Sequence, residues 1–188
     1  MAVSFSADGA VGTIVLDKPP ANSYDKDYME EFEAAIAEAD GTDVRVVVVR
    51  STSERFFCAG ADIKAFAAND ADTNIAMIRK GHEVLASMAK SEKLFLAWVE
   101  GHALGGGLEI GLGCDLRYAL DGDFKMGTPE INLGILPGNG GTQRLPRLIG
   151  RGPALHLLLT GQPVSPQEAH RLGIVNGLFD SAEDFDTF

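Results

Sequence analysis

Four consecutive valines, Val46–Val49, stand between Arg45 and Arg50 and constrain the fold more than any other stretch of the chain. An unbroken β-branched run reads as a strand covered on both faces, the kind found inside parallel sheets flanked by helices. The run sits within a strand predicted over Val44–Arg50. Further strands are predicted over Ala10–Leu16, Leu94–Val99 and Leu116–Leu120. Helices are predicted over Asp25–Asp40, Asn74–Ala89, a short span from about Gly106, Gly140–Ile149, Gly152–Thr160 and Ser165–Leu172. In the first, Tyr28, Phe32, Ile36 and Ala39 recur at helical spacing beneath an acidic outer face; in the second, Ile75, Ile78, His82, Leu85 and Met88 do so. Strands alternating with helices predict an α/β fold with a layered core.

A length of 188 residues fits one domain spanning 1–188. With 45% hydrophobic and 23% charged residues, the chain is neither disordered nor collagen-like. No apolar run approaches the ~18 residues of a membrane span, and the opening MAVSFSADGA lacks the pattern of a signal peptide. The net charge of −11 argues against a nucleic-acid partner, whose phosphates call for basic patches. Cys58 and Cys114 are isolated, which predicts reduced, buried thiols in the cytoplasm. From Ile131 to Gln167 there is no acid, and Arg144, Arg147 and Arg151 form either a rim for a phosphate-bearing ligand or a solvated face. Near the end, Ser181 with Glu183 and Asp184 reads as the start of a helix, and another helical segment is expected where the sequence stops.

Four stretches resist a packing explanation. In Phe56–Lys64, the small residues Ala59, Gly60 and Ala61 let backbone approach another group closely, as a ligand loop or a tight turn. In Gly101–Glu109, three glycines enter a helix and leave N–H groups free for an anion or a developing oxyanion. Glu109 is the only charged residue between Gly101 and Cys114, either exposed by helix geometry or buried with a raised pKa suited to proton transfer. In Thr128–Gly138, Glu130 is similarly alone. The two glutamates either divide acid and base roles or serve separate surfaces. The stretch Pro137–Arg147 lacks the ending of a phosphate loop and reads mainly as a turn packed below the site.

Other chemistries find no support. There is no zinc helix, no nucleophile elbow and no dinucleotide fingerprint. The four histidines lack metal spacing, and His82 and His156 are expected in the core or an interface.

Taken together, FFCAGADIK (Phe56–Lys64), GHALGGGLE (Gly101–Glu109), PEINLGILPG (Pro129–Gly138) and GGTQRLPR (Gly140–Arg147) resemble the enoyl-CoA hydratase/isomerase (crotonase) family. The resemblance implies a spiral of ββα units, a homotrimer or homohexamer, and an acyl-CoA thioester substrate of fatty-acid β-oxidation, with no metal or other cofactor. It implies that the Ala61 and Gly106 N–H groups form an oxyanion hole and that Glu109 and Glu130 are the catalytic glutamates. It further implies substrate contacts from Ala59, Gly60, Asp62, Ile63, Lys64, Gly105, Pro129 and Gly138. Retention of both glutamates favours a hydratase over a double-bond isomerase, which commonly manages with one acid; a non-catalytic acyl-CoA-binding subunit is the third reading. The family usually continues into C-terminal helices beyond the point where this chain ends. Pro19–Ser23 also departs from the commonest form of a region that lines the coenzyme A entrance.

Overall fold

The computed structural model describes residues 1–188. The chain opens with β1 (Val3–Asp8), β2 (Val11–Leu16), α1 (Lys26–Asp40), β3 (Val46–Ser51), β4 (Phe56–Cys58), α2 (Ile63–Ala68) and α3 (Ala71–Lys90). It continues through β5 (Leu94–Val99), β6 (His102–Leu104), α4 (Gly106–Gly113), β7 (Leu116–Leu120), β8 (Met126–Gly127) and a 3-10 turn at Pro129–Leu133. It ends with α5 (Gly141–Ile149), α6 (Arg151–Thr160), α7 (Pro166–Leu172), β9 (Gly177–Phe179) and α8 (Ala182–Asp186). None of the helices is long and apolar enough to cross a membrane.

The strands form two sheets. The larger runs β1-β2-β3-β5-β7-β9, parallel except for the edge hairpin β1–β2, and the smaller runs β4-β6-β8, all parallel. Three times the chain leaves the large sheet, adds a short strand to the small one, and passes into helical structure. This repeated ββα step is the spiral that the resemblance implies.

The predicted strands are the members of the large sheet that carry long apolar runs. Val47 and Val49 in β3 are wholly buried while Val46 and Val48 are half-buried on the opposite face. That second face is covered by aromatic residues: Trp98 is buried and stacks on Phe185 of α8, ring centroids 4.1 Å apart. The N-cap predicted at Ser181 is present, its Oγ accepting from the Asp184 N–H. Asp25 caps α1 in the same way at Tyr28. The stripe expected on α3 is rotated. Its buried residues are Met77, Gly81, Val84, Leu85 and Met88, whereas Ile75 and His82 face outward. His82 and His156 are therefore exposed rather than in the core, while both cysteines are buried free thiols as expected.

Asn22 ties the two sheets together. Wholly buried in a left-handed conformation (φ 51°), it accepts from the Lys18 N–H and donates to Ser51 Oγ at 2.7 Å and to the Phe57 carbonyl at 3.1 Å. The segment Pro19–Ser23 thus anchors β4 to β2 and β3.

Candidate active site

Three segments of the site leave the carboxyl ends of the three strands of the small sheet. Ala59–Ala61 follows β4, Gly105–Gly106 follows β6, and Thr128–Glu130 follows β8. The Phe56–Lys64 loop therefore issues from its own three-residue strand, not directly from the valine strand. Ligands of α/β folds collect at such ends because backbone N–H groups and helix N-termini converge there.

The three glycines are each fixed by a neighbour. A β-carbon on Gly105 would lie 2.9 Å from Oε1 of Glu130, one on Gly106 2.0 Å from the Tyr24 hydroxyl, and one on Gly107 1.9 Å from the Cys58 carbonyl. Gly105 also adopts φ 55°, ψ −127°, a region closed to other residues. Gly60 (φ 92°) faces this turn: a β-carbon there would sit 3.1 Å from the Gly106 nitrogen. The Ala61 and Gly106 segments are thus brought together, and neither N–H is taken up by a backbone acceptor. Ala61 is flanked by Tyr24, whose N–H donates to the Gly60 carbonyl and whose carbonyl accepts from Asp62, both at 2.9 Å.

Glu109 lies in the first turn of α4 with 1% of its surface exposed. Its Oε1 accepts from the Asn139 N–H at 2.8 Å and the Gly141 N–H at 2.7 Å. Burial raises its pKa to about 7; the Gly141 and Asn139 N–H groups and Arg144 oppose that rise, while the charge of Glu130 adds to it. Glu130, on the 3-10 turn, is also buried, and its Oε2 has no hydrogen-bond partner. Burial raises its pKa, against a smaller lowering from its own N–H. The two carboxyls are buried neighbours with opposite support: one held by two donors, the other nearly without. Such a pair shares protons unequally.

Pro137–Arg147 is more than a turn packed below the site, because it supplies both donors to Glu109. Arg144 donates to the Asn139 carbonyl at 3.1 Å and Arg147 to the Gln143 carbonyl at 2.7 Å, so both guanidinium groups are engaged locally. The remaining predicted residues fall around this centre. Asp62 caps α2 through the Lys64 and Ala65 N–H groups, Ile63 and Lys64 are exposed at its first turn, and the Ala59 N–H is bonded to Ala21. Pro129 opens the 3-10 turn, and Gly138 faces Ile78 of α3.

The sequence profile described as Enoyl-CoA hydratase/isomerase matches residues 6–186. The chain belongs to the enoyl-CoA hydratase/isomerase family. It is 39% identical over 186 residues to a probable enoyl-CoA hydratase of Bacillus subtilis, covering 97% of this chain and 71% of that protein. It is 37% identical over 191 residues to a short-chain-enoyl-CoA hydratase of Clostridium acetobutylicum, covering 98% and 71%. The crystal structure of an enoyl-CoA hydratase from Geobacillus kaustophilus superposes with a TM-score of 0.96 at 40% identity, over 99% of this chain and 71% of that one. The fold is thus that of the crotonase family, and the chain is an enzyme of the enoyl-CoA hydratase/isomerase type.

Two residues of this crotonase-fold site have no counterpart among the sequence expectations. Tyr24 and Asn139 are both buried, and Asn139 Nδ2 donates to the Tyr24 hydroxyl at 2.7 Å. They are 115 positions apart and of ordinary type. The one sequence signal near either is the glycine-rich, acid-free loop around Asn139.

Proposed function

We propose that the chain catalyses the reversible syn addition of water to a 2-enoyl-CoA thioester, giving a 3-hydroxyacyl-CoA, with coenzyme A as part of the substrate and no further cofactor. The observation that carries this reading is the pair of buried, unequally supported glutamates beside two unpaired backbone N–H groups. As water adds to C3, negative charge grows on the thioester oxygen, and the Ala61 and Gly106 N–H groups donate to it. Loss of one such donor costs about 2.7–4 kcal/mol of barrier reduction, and a general acid or base supplies about 10²–10⁴-fold, so the two donors together carry at least as much as either glutamate.

Glu109 is the water-orienting base. Two N–H groups on Oε1 favour its anion and leave Oε2 to accept a proton from water. Glu130, with an unpartnered oxygen in a buried setting, is suited to hold a proton and deliver it to C2. The water O–H bond breaks as the C3–O bond forms. The proton received by Glu109 balances the one given up by Glu130. Ala59, Gly60, Asp62, Ile63, Lys64, Gly105, Pro129 and Gly138 are proposed to line the thioester's path, and a homotrimer or homohexamer is the proposed assembly.

The test follows the conjugated thioester absorbance of a short 2-enoyl-CoA in the presence of the protein. Its disappearance is expected, and a persistent absorbance rejects the reading. A double-bond isomerase is the second reading, because Glu130 alone has the character of a proton carrier without an anion-stabilising cradle. That enzyme would move a 3-enoyl bond and tolerate Glu109→Gln better than Glu130→Gln.

A further inference from the structure

Tyr24 lies outside the four stretches singled out in the sequence yet bonds or packs against three of them, Phe56–Lys64, Gly101–Glu109 and Pro137–Arg147. Its backbone brackets Ala61 through the Gly60 and Asp62 bonds at 2.9 Å. Its ring passes against Gly106, where any β-carbon would collide with it. Its hydroxyl then accepts from Asn139 Nδ2 at 2.7 Å, and the Asn139 main-chain N–H is one of the two donors on Glu109. The Asn139 side chain has no room to wander. It lies flush on α3, where a β-carbon on Gly81 would come within 2.4 Å of Oδ1. One residue therefore links the Ala61 amide to the loop that cradles Glu109, through short bonds throughout.

We propose that Tyr24 is a positioning residue for Glu109: its hydroxyl holds the Asn139 side chain, and thereby keeps the Asn139 N–H on the Glu109 carboxylate in register with the Ala61 amide. Removing the hydroxyl leaves a buried amide donor unpaired, and because the side chain has no room to turn, relief comes from a shift of the Asn139 backbone that loosens its main-chain bond. A carboxylate that loses part of an N–H bond gains proton affinity. The other groups facing Glu109 remain in place: Glu130 from the 3-10 turn raises its pKa and Arg144 from α5 lowers it, and α4 itself carries no second charge. The phenol does not compete as a base, because burial, with Glu109, Cys58 and Glu130 nearby, pushes its own pKa well up.

The kinetic arm of the test rests on the proposed hydratase reading; the spectroscopic arm does not. Tyr24→Phe keeps the ring and removes one oxygen. The Glu109 carboxyl band, assigned by its absence in Glu109→Gln, is titrated by difference infrared spectroscopy in the wild type and in Tyr24→Phe. An upward shift of about one unit is expected. In the same variant the acid limb of kcat/KM moves up equally, giving about a tenfold loss below neutrality that recovers at high pH, with KM nearly unchanged. Asn139→Ala keeps the main-chain N–H, and it should reproduce the shift, with the double variant no worse than the larger single one. If Tyr24→Phe does not fold, Asn139→Ala decides alone. An unmoved Glu109 band, or a loss equal at every pH, overturns the proposal. A wild type that fails to hydrate any enoyl-CoA removes the proposed function and leaves the infrared result to stand by itself.

Discussion

Gly107 and Cys58 meet backbone to backbone: a β-carbon on the glycine would lie 1.9 Å from the cysteine's carbonyl oxygen. Neither group sits at the end of a flexible side chain, so any relief must move α4 away from β4. That separation would carry Gly106 away from Ala61. Gly107→Ala is expected to lower stability by about 1–3 kcal/mol and to cut activity more than stability alone explains. Gly152→Ala is the control, since nothing lies within 4 Å of its β-position in the first turn of α6. It should be neutral or stabilising by about 0.4–1 kcal/mol. Urea unfolding of both variants checks the contrast.

Phe185 covers the single tryptophan. Its ring is parallel to that of Trp98 within 1°, with Phe179 edge-on to both. Asp186 adds an ion pair to Arg50 at 3.0 Å, so α8 is held on the outer face of the large sheet by few groups. Phe185→Ala is expected to release α8 locally, at a cost of up to about 3 kcal/mol. Trp98 emission should shift to the red while the main unfolding transition stays cooperative. An unshifted emission would mean that other residues shield the indole.

Four of the six strands of the large sheet were legible because β2, β3, β5 and β7 carry runs of five or six residues rich in apolar side chains, whereas β1 and β9 were not foreseen. The small sheet was not, because a strand such as Met126–Gly127 is too short to show any period. This matters for function, since three loops of the site, those of Ala61, Gly106 and Glu130, hang from that sheet. Glu109 and Glu130 stood out as lone charges in apolar stretches, which is how a buried carboxylate must look in sequence. Asn139 and Tyr24 did not, because their contacts span 30 and 115 positions and depend on the closed spiral. The fourth glycine-rich stretch was read as a turn for the same reason: a backbone N–H aimed at a distant carboxylate leaves no mark on residue type.

Arg144 acts on Glu109 in two ways, by charge and by its 3.1 Å bond to the Asn139 carbonyl. Arg144→Met removes both while keeping an apolar stem. A lost positive charge favours the neutral acid, so the Glu109 pKa should rise above about 7 by less than about one unit. The acid limb of kcat/KM is expected to move upward by the same amount. A limb that stays in place would show that the guanidinium's charge does not reach the carboxylate.

Glu109 should also write itself into the pH dependence of folding. Its folded pKa of about 7 exceeds the ordinary 4.5, so the native state keeps a proton that the unfolded chain has released. Stability is then highest below about pH 4.5, falls as pH rises, and levels off above about pH 7, a decline of about 3 kcal/mol from this group. Glu109→Gln lacks the ionisation, and its amide oxygen can still accept from the Asn139 and Gly141 N–H groups. The difference between wild type and variant, measured by urea unfolding at pH 5 and pH 8, isolates this residue from the other carboxylates. The variant is expected to gain stability relative to wild type at pH 8 by up to about 3 kcal/mol, while losing about 10²–10⁴ in the rate of the proposed hydration. A gap that is the same at both pH values would mean that Glu109 ionises in the folded protein as freely as in the unfolded chain. In that case burial would not be tuning it for proton transfer.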